Sequence, residues 1–500
     1  MLALIFTLGI SKTIVGCVLG GTYSHARPIL SYLSELKVRG HTVAFATLAQ
    51  NKDFVKNTNI PFWDLGVGPS TEAIQKQVIE DENQTDLFAT FPMQRRGIFD
   101  SQYETGMVGF QNILKTHHID YLVCDVFADA CFDTALINKL DYTISAFFIG
   151  LAGFYDMPYN PSPFSDKTEL EFGFMDRFLK TWWLLPRLIL EMIPLDAELN
   201  ALRSKFNVTH AMDPADRFKN RLYLMNTLPG FWNGETPPNV LQVGPIFEKS
   251  RSTIDDDLKS WLDTQLKDNN KVAYMAFGSV AYLSAPHLLK LFKGLKCANY
   301  KVVFASKTFN VNEFDVNDLV NVKHLKWAPQ QEILHHPAVS LFVTHGGIES
   351  LHESIEAGKP MLVKPFFGDQ SINAKKVKGA GIGEFIMDKF KFTSDSVCNK
   401  VNLISNDASY NLKIKKLQAL LKMRSKHNLA FAVDHIEFVM DHGIDNLTTK
   451  SQSMNPMAAA NYDVILLGYF LLFFILKFVF KRVKSVFVKV TSSGTKLKRE

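Results

Sequence analysis

Residues 327–370 read WAPQQEILHHPAVSLFVTHGGIESLHESIEAGKPMLVKPFFGDQ, and their order decides the fold. Ser340–Thr344 is a short apolar run of the kind that forms a strand. It ends at His345-Gly346-Gly347, and the pattern from about Ile348 predicts a helix with Gly358 as its C′ residue. A strand, a glycine-permitted turn and a helix N-terminus together make an anion cradle, because the first amides of a helix lack internal partners and carry the positive end of its dipole. His345 stands where a bound phosphate would sit. Trp327 and Gln330 precede a short helix and set a flat apolar face beside an amide, a pair suited to a pyrimidine base. Asp369-Gln370 follows another strand end, Met361–Val363, and offers acceptors and donors to sugar hydroxyls. Taken singly, Trp327 reads as core and Asp369-Gln370 as a helix cap; only the combination is specific.

The flanking chain repeats the same logic. Val272–Phe277 reads as a strand ending in Gly278-Ser279, followed by a helix from about Pro286 to Cys297 and strands Val302–Ala305 and Val322–Leu325. Earlier, Thr13–Leu19 leads into Gly20-Gly21 and a helix with Pro28 near its first turn and Gly40 past its end. Thr42–Thr47 is then a second strand and Asp120–Phe127 a later strand of the same sheet. Two α/β halves with parallel sheets result. Neither carries GxGxxG or a P-loop, so neither is a standard dinucleotide or ATP site. Between them, 147–231 is rich in aromatics and is expected to cover the mouth of the first sheet, with Phe147, Phe148, Phe154, Tyr155, Trp182 and Trp183 lining an apolar pocket. Asn233–Asn239 and Asp255–Asp257 bracket a linker. The three acids open a helix, where they suit the dipole better than a metal.

The chain has 500 residues, 47% apolar and 21% charged, which excludes a disordered chain. Its net charge of +5 is local: the last twenty residues hold seven Lys or Arg and one Glu, so the other 480 net −1. No domain-wide basic field remains to argue for nucleic acid. The five Cys form no CxxC pair, and Cys17, Cys124 and Cys131 lie in apolar runs where buried free thiols are expected.

Both ends address a membrane. Tyr462–Phe480, YDVILLGYFLLFFILKFVF, covers roughly 28 Å as a helix, close to a hydrocarbon core. The basic flank 481–500 belongs in the cytosol by the positive-inside rule, which puts the body on the lumenal side. Residues 1–11 read as a signal segment without a basic start: Leu2–Leu8 is apolar, and Gly9 and Ser11 are small residues at −3 and −1. Sequons stand at Asn83, Asn207 and Asn446, and Lys496 and Lys498 resemble a dilysine signal of the endoplasmic reticulum.

The block 327–370 resembles the C-terminal signature of the UDP-glycosyltransferases, the family that includes glucuronosyltransferases and plant and fungal glucosyltransferases. The resemblance implies a GT-B fold, two Rossmann-like domains facing a cleft: 12–245 for the acceptor, 246–445 for the UDP-sugar, then a transmembrane helix 462–480 and a cytosolic tail 481–500. It implies that Trp327 stacks on uracil, Gln330 contacts the uridine and His345 binds the diphosphate with Gly347, Ser350 and Ser279. Glu353 would accept from the ribose, and Asp369 and Gln370 would hold the transferred sugar. Glu349 departs from the pattern, since plant members usually carry Asn there; an acid beside phosphate must turn away or be paired. The catalytic base would be His25, at the carboxyl edge of the first sheet where open α/β sheets bind ligands. Asp125 would orient it, with Asp129 as the alternative. The expected reaction is inverting transfer of a hexosyl group to a hydroxyl of a small lipophilic acceptor, with the UDP-sugar as co-substrate and neither metal nor cofactor. Two other classes remain possible on sequence: a catalytically silent UDP-sugar-binding protein and a membrane scaffold for a partner glycosyltransferase.

Overall fold

The computed structural model describes residues 11–20, 23–70, 92–147, 173–208, 220–229, 236–246, 253–278, 281, 283–449, 454, 458 and 462–496. Seven strands form the first sheet: β1 (Thr13–Val18), β2 (Thr42–Thr47), β3 (Phe62–Asp64), β4 (Tyr121–Asp125), β5 (Asp141–Ala146), β6 (Leu222–Met225) and β7 (Val240–Gln242). Their order is β3-β2-β1-β4-β5-β6-β7, and every pairing is parallel. Six strands form the second: β8 (Lys271–Ala276), β9 (Tyr300–Ala305), β10 (Val322–Leu325), β11 (Val339–Thr344), β12 (Met361–Val363) and β13 (Gly383–Phe385). Their order is β10-β9-β8-β11-β12-β13, again all parallel. This is the pair of Rossmann-like sheets that the resemblance implies.

Parallel strands need helical crossovers, so both faces of each sheet are covered and the interior strands are largely apolar. In the second lobe, alternate residues of β8 enter two separate cores: Val272 and Tyr274 on one face, Ala273 and Met275 on the other. All five residues of β4 are buried. The chain reverses direction along each sheet between its first strand and the neighbour on the other side, β1 with β4 and β8 with β11. Those switch points leave a crevice at the carboxyl ends of the strands.

The helix Asn428–His442 closes the body against the first lobe. Lys12 Nζ donates to Asp441 at 2.6 Å, Arg39 Nη1 to Asp434 and Glu437 at 2.6 Å each, and Asn428 Nδ2 to the Gly244 carbonyl at 2.8 Å. Residues 445–500 are a separate unit. Within it the helix Tyr462–Lys496 carries the segment Tyr462–Lys484, long and apolar enough to cross a membrane.

Several expectations need correction. Leu222–Met225 lies inside the stretch read as cover, yet it is an interior strand of the first sheet. Cys124 and Cys131 are not free thiols: they form a disulfide, and Cys297 is joined to Cys398. In the first case a strand end, a turn and a helix start fold seven residues back, so that the two Cα atoms lie 5.9 Å apart. Cys17 alone stays free and buried. Alkylation of the denatured chain is therefore expected to modify one thiol before reduction and five after, read by intact mass; five before reduction would remove both bridges.

Candidate active site

The β1–β4 pairing places the first half of the site. Cys17 of β1 lies in register with Cys124 of β4, so the segments leaving these two strands emerge side by side. His25 is in the first turn of the helix after β1, and Asp125 is the last residue of β4. His25 Nδ1 and Asp125 Oδ2 are 2.8 Å apart. Asp125 is 1% exposed, and the Phe127 N–H donates to its other oxygen at 3.1 Å, which fixes the carboxylate plane. Burial alone would lower the imidazole pKa; the Asp125 carboxylate outweighs it, helped by Asp369 and Glu349, and the net shift is upward. With Nδ1 held, Nε2 is the nitrogen left to accept a proton. Asp129, the alternative orienting acid, pairs instead with Arg203 at 3.6 Å.

Aromatic side chains surround the imidazole. Phe147 meets it edge-on at 5.0 Å between centroids and Phe127 lies at 5.7 Å. Phe99 stacks on Phe127 at 4.0 Å. Gly20 permits this: a Cβ there would stand 2.8 Å from the Ile98 carbonyl and from the Phe99 ring. Of the residues expected to line the pocket, Phe147 is here, Trp182 and Trp183 are each 69% exposed, and Phe148, Phe154 and Tyr155 lie outside the described residues.

The cradle forms at the second switch point. Gly346 has φ +92°, which only glycine adopts readily, and Gly347 is the N-cap of the helix Ile348–Ala357. The His345 ring packs between two glycines. A Cβ on Gly278 would come within 3.1 Å of its Nε2, and one on Gly347 within 2.5 Å. Desolvation pushes the His345 pKa down to about 4, so at neutral pH the ring is an uncharged hydrogen-bonding group. Gln330 Nε2 donates to Glu353 Oε2 at 2.6 Å and to Ser350 Oγ at 3.1 Å. Gln331 adds a bond to Glu353 Oε1 at 2.9 Å. Trp327 is 62% exposed, so it is a surface platform and not core.

Asp369 accepts from Asn373 Nδ2 at 2.7 Å; burial raises its pKa against that bond and the pull of His25. Gln370 Oε1 accepts from the Phe366 and Phe367 amides at 2.8 and 3.2 Å, so this oxygen braces the loop, and the amide nitrogen is the group that would reach a sugar. Ser279 lies outside the described residues. Among the described residues, no group of three or more His, Cys, Asp and Glu side chains could hold a metal ion.

Glu349 is paired, as an acid beside a phosphate site must be. Its partner is Arg27 of the first lobe, Nη1 to Oε2 3.4 Å, and the same Nη1 is 3.1 Å from Glu353 Oε1. Arg27, Gln331, Phe99 and Phe127 escaped sequence reasoning. Arg27 stands two residues beyond His25 in the same helix, the one signal that could have marked it.

The sequence matches the family model of UDP-glucoronosyl and UDP-glucosyl transferase over residues 171–499. The chain is 26% identical over 487 residues to the UDP-glycosyltransferase FPY2 of Fusarium mangiferae, covering 87% of this chain and 85% of that one. It is 27% identical over 270 residues to the 2-hydroxyacylsphingosine 1-beta-galactosyltransferase of Rattus norvegicus, covering 52% and 48%. The fold is shared with the solved Phytolacca americana UGT2, complexed with UDP-2fluoro-glucose and pterostilbene: TM-score 0.60 at 16% identity, covering 86% of this chain and 100% of that one. Two parallel Rossmann-type sheets give the chain the GT-B fold. The chain belongs to the UDP-glycosyltransferase family and so transfers sugar from a UDP-sugar.

Gly347→Ala tests the cradle. The φ of −63° suits alanine, so the effect comes only from the Cβ driven against His345. UDP affinity measured by calorimetry is expected to fall about tenfold or more, ~1.4 kcal/mol. Unchanged affinity would move the diphosphate elsewhere.

Proposed function

We propose that this protein transfers a hexosyl group from a UDP-sugar to a hydroxyl of a small lipophilic acceptor, with inversion and without a metal. The observation that carries the reading is the reach of Arg27 from the His25 helix to Glu349 and Glu353 of the cradle helix, which brings the imidazole and the cradle to one cleft. In the proposed step, His25 Nε2 takes the acceptor O–H proton as the oxygen attacks the anomeric carbon. The bond from that carbon to the β-phosphate oxygen breaks, and UDP leaves with the electron pair. Asp125 balances the imidazolium. The unpaired amides at the start of the helix Ile348–Ala357, with neutral His345, bear the diphosphate charge. Trp327 is exposed for stacking on uracil, with Gln330, Ser350 and Glu353 beside the uridine.

The aromatic wall of Phe99, Phe127 and Phe147 around His25 favours a lipophilic acceptor. The names of relatives agree in kind: one is a galactosyltransferase named for an acylsphingosine, and the Phytolacca enzyme was solved with pterostilbene. The intact His25–Asp125 pair separates this reading from a silent UDP-sugar-binding protein, and two lobes in one chain separate it from a scaffold. We place the body in the endoplasmic reticulum lumen, anchored by Tyr462–Lys484 with the basic tail in the cytosol. Two disulfides support an oxidising compartment.

UDP release from UDP-glucose and UDP-glucuronate, with a panel of lipophilic alcohols and phenols, tests the activity. His25→Ala is expected to lower kcat by roughly 10²–10⁴; equal release by the variant and the native chain would end the assignment of the base. The pH profile carries a sign. The base works when neutral and its pKa is raised, so kcat/KM should fall on the acid side above the ordinary imidazole value of about 6.5. Asp125→Asn removes the main cause of that rise, and its acid limb should move to lower pH while the rate drops. A limb that stays in place would mean that another group controls it, and Glu349, pushed up to about 7, is the first to examine.

A further inference from the structure

Glu349 occupies the first turn of the helix whose N-terminus forms the cradle. A carboxylate left alone there would oppose a diphosphate twice, by direct repulsion and by itself complementing the helix N-terminus. The side chain instead meets Arg27 from the opposite lobe at 3.4 Å. The three side chains are largely withdrawn from water, Arg27 12%, Glu349 18% and Glu353 9% exposed. Glu353 has two further donors in Gln330 and Gln331, so its placement survives without Arg27. Among the described residues, Glu349 is hydrogen-bonded to Arg27 and to no other side chain. The other ionisable groups around it do not replace that cation: Asp369 and Glu353 are acids, and His25 is engaged by Asp125. His352, on the same helix, is buried and held neutral by desolvation and by Arg27.

We propose that Arg27 is a positioning residue of the donor site: it draws the Glu349 carboxylate across the cleft and cancels its charge, leaving the helix N-terminus open to the donor's diphosphate. The proposal rests on the donor-site reading above and needs no contact between Arg27 and the donor. It also links the lobes, because the residue that prepares the cradle sits in the helix that carries His25. Glu349 and Arg27 then act as one unit, which makes an acid tolerable in the first turn of the cradle helix.

Calorimetry on the full chain in detergent, with UDP and with uridine, separates charge from structure, because uridine lacks the diphosphate. Arg27→Gln is expected to weaken UDP by about tenfold or more and uridine by less than about threefold. Arg27→Gln with Glu349→Gln should return UDP to within about threefold of the native chain. Glu349→Gln alone, which keeps Arg27, should tighten UDP by roughly two- to fivefold. Equal losses for UDP and uridine, or no rescue in the double variant, would overturn the proposal while leaving the donor site standing. If Arg27→Gln does not fold, Glu349→Gln decides by itself: tighter UDP supports the proposal and weaker UDP overturns it. A native chain that binds neither ligand would bring down the donor-site reading, and this inference with it.

Discussion

The 2.8 Å contact between His25 and Asp125 exists because β1 and β4 are hydrogen-bonded neighbours although roughly a hundred residues separate them. A parallel sheet built outward in two directions from its first strand must contain such a pair. At that pair the following segments diverge to opposite faces and leave a crevice. The second sheet obeys the same rule at β8 and β11, and there the crevice holds Gly278, His345 and the helix N-terminus. The placement of His25 and of the helix N-terminus after His345 is therefore a consequence of strand order, and the side chains occupy openings that the topology creates. The neighbouring disulfide Cys124–Cys131 ties the end of β4 to the next helix, on the segment that presents Asp125.

What the sequence made legible follows from how local each signal is. The strand, turn and helix around His345 lie within about twenty residues, so hydrophobic period, glycines and capping all speak to the same short segment. The structure sets Ile348–Ala357 and the left-handed Gly358 where that pattern puts them. Phe62–Asp64 and Gly383–Phe385 hold three residues each, one of them an acid, so no apolar run marks them, whereas Met361–Val363 of the same length is apolar throughout; Leu222–Met225 is apolar but lies in a stretch already rich in apolar residues. Cys124–Cys131 shows the same blindness at short range: seven residues in an apolar run say nothing about direction until a turn between strand and helix folds them back.

Site residues divide in the same way. Trp327, Gln330, Ser350 and Glu353 belong to one continuous block and were readable together. Gln370 belongs to that block too, yet its oxygen serves the backbone of its own loop, a use that spacing cannot distinguish from ligand contact. Phe99 ends the helical segment Arg95–Phe99 and Phe127 follows β4, and their stacking is a contact between separate elements. Arg27 gains its meaning from a helix more than three hundred residues away, and no window along the chain contains both ends of that contact.

Among the described residues the ionisable groups around His25 and Glu349 are mostly acids, which is the opposite of what a diphosphate ligand would ask for. Asp125, Glu349, Glu353 and Asp369 stand around it against Arg27 and a histidine with raised pKa. The two halves of the proposed reaction explain the arrangement. An imidazolium forming at His25 is stabilised by nearby carboxylates, so acids on its side of the cleft favour proton transfer. The departing UDP needs the reverse, and it finds it in groups that carry no net charge of their own: amides at a helix N-terminus and a histidine kept neutral near pH 7. Glu349 lies where these regions meet, near enough to His25 to raise its pKa and in the first turn of the cradle helix. It is tolerable there because an arginine from the other lobe holds it. The pair is largely withdrawn from water, so removing one partner costs more than the ~0–1 kcal/mol of an exposed pair. Glu349 thus adds to the charge that Asp125 mainly supplies to the imidazole and would also oppose the donor, and its pairing decides which effect wins.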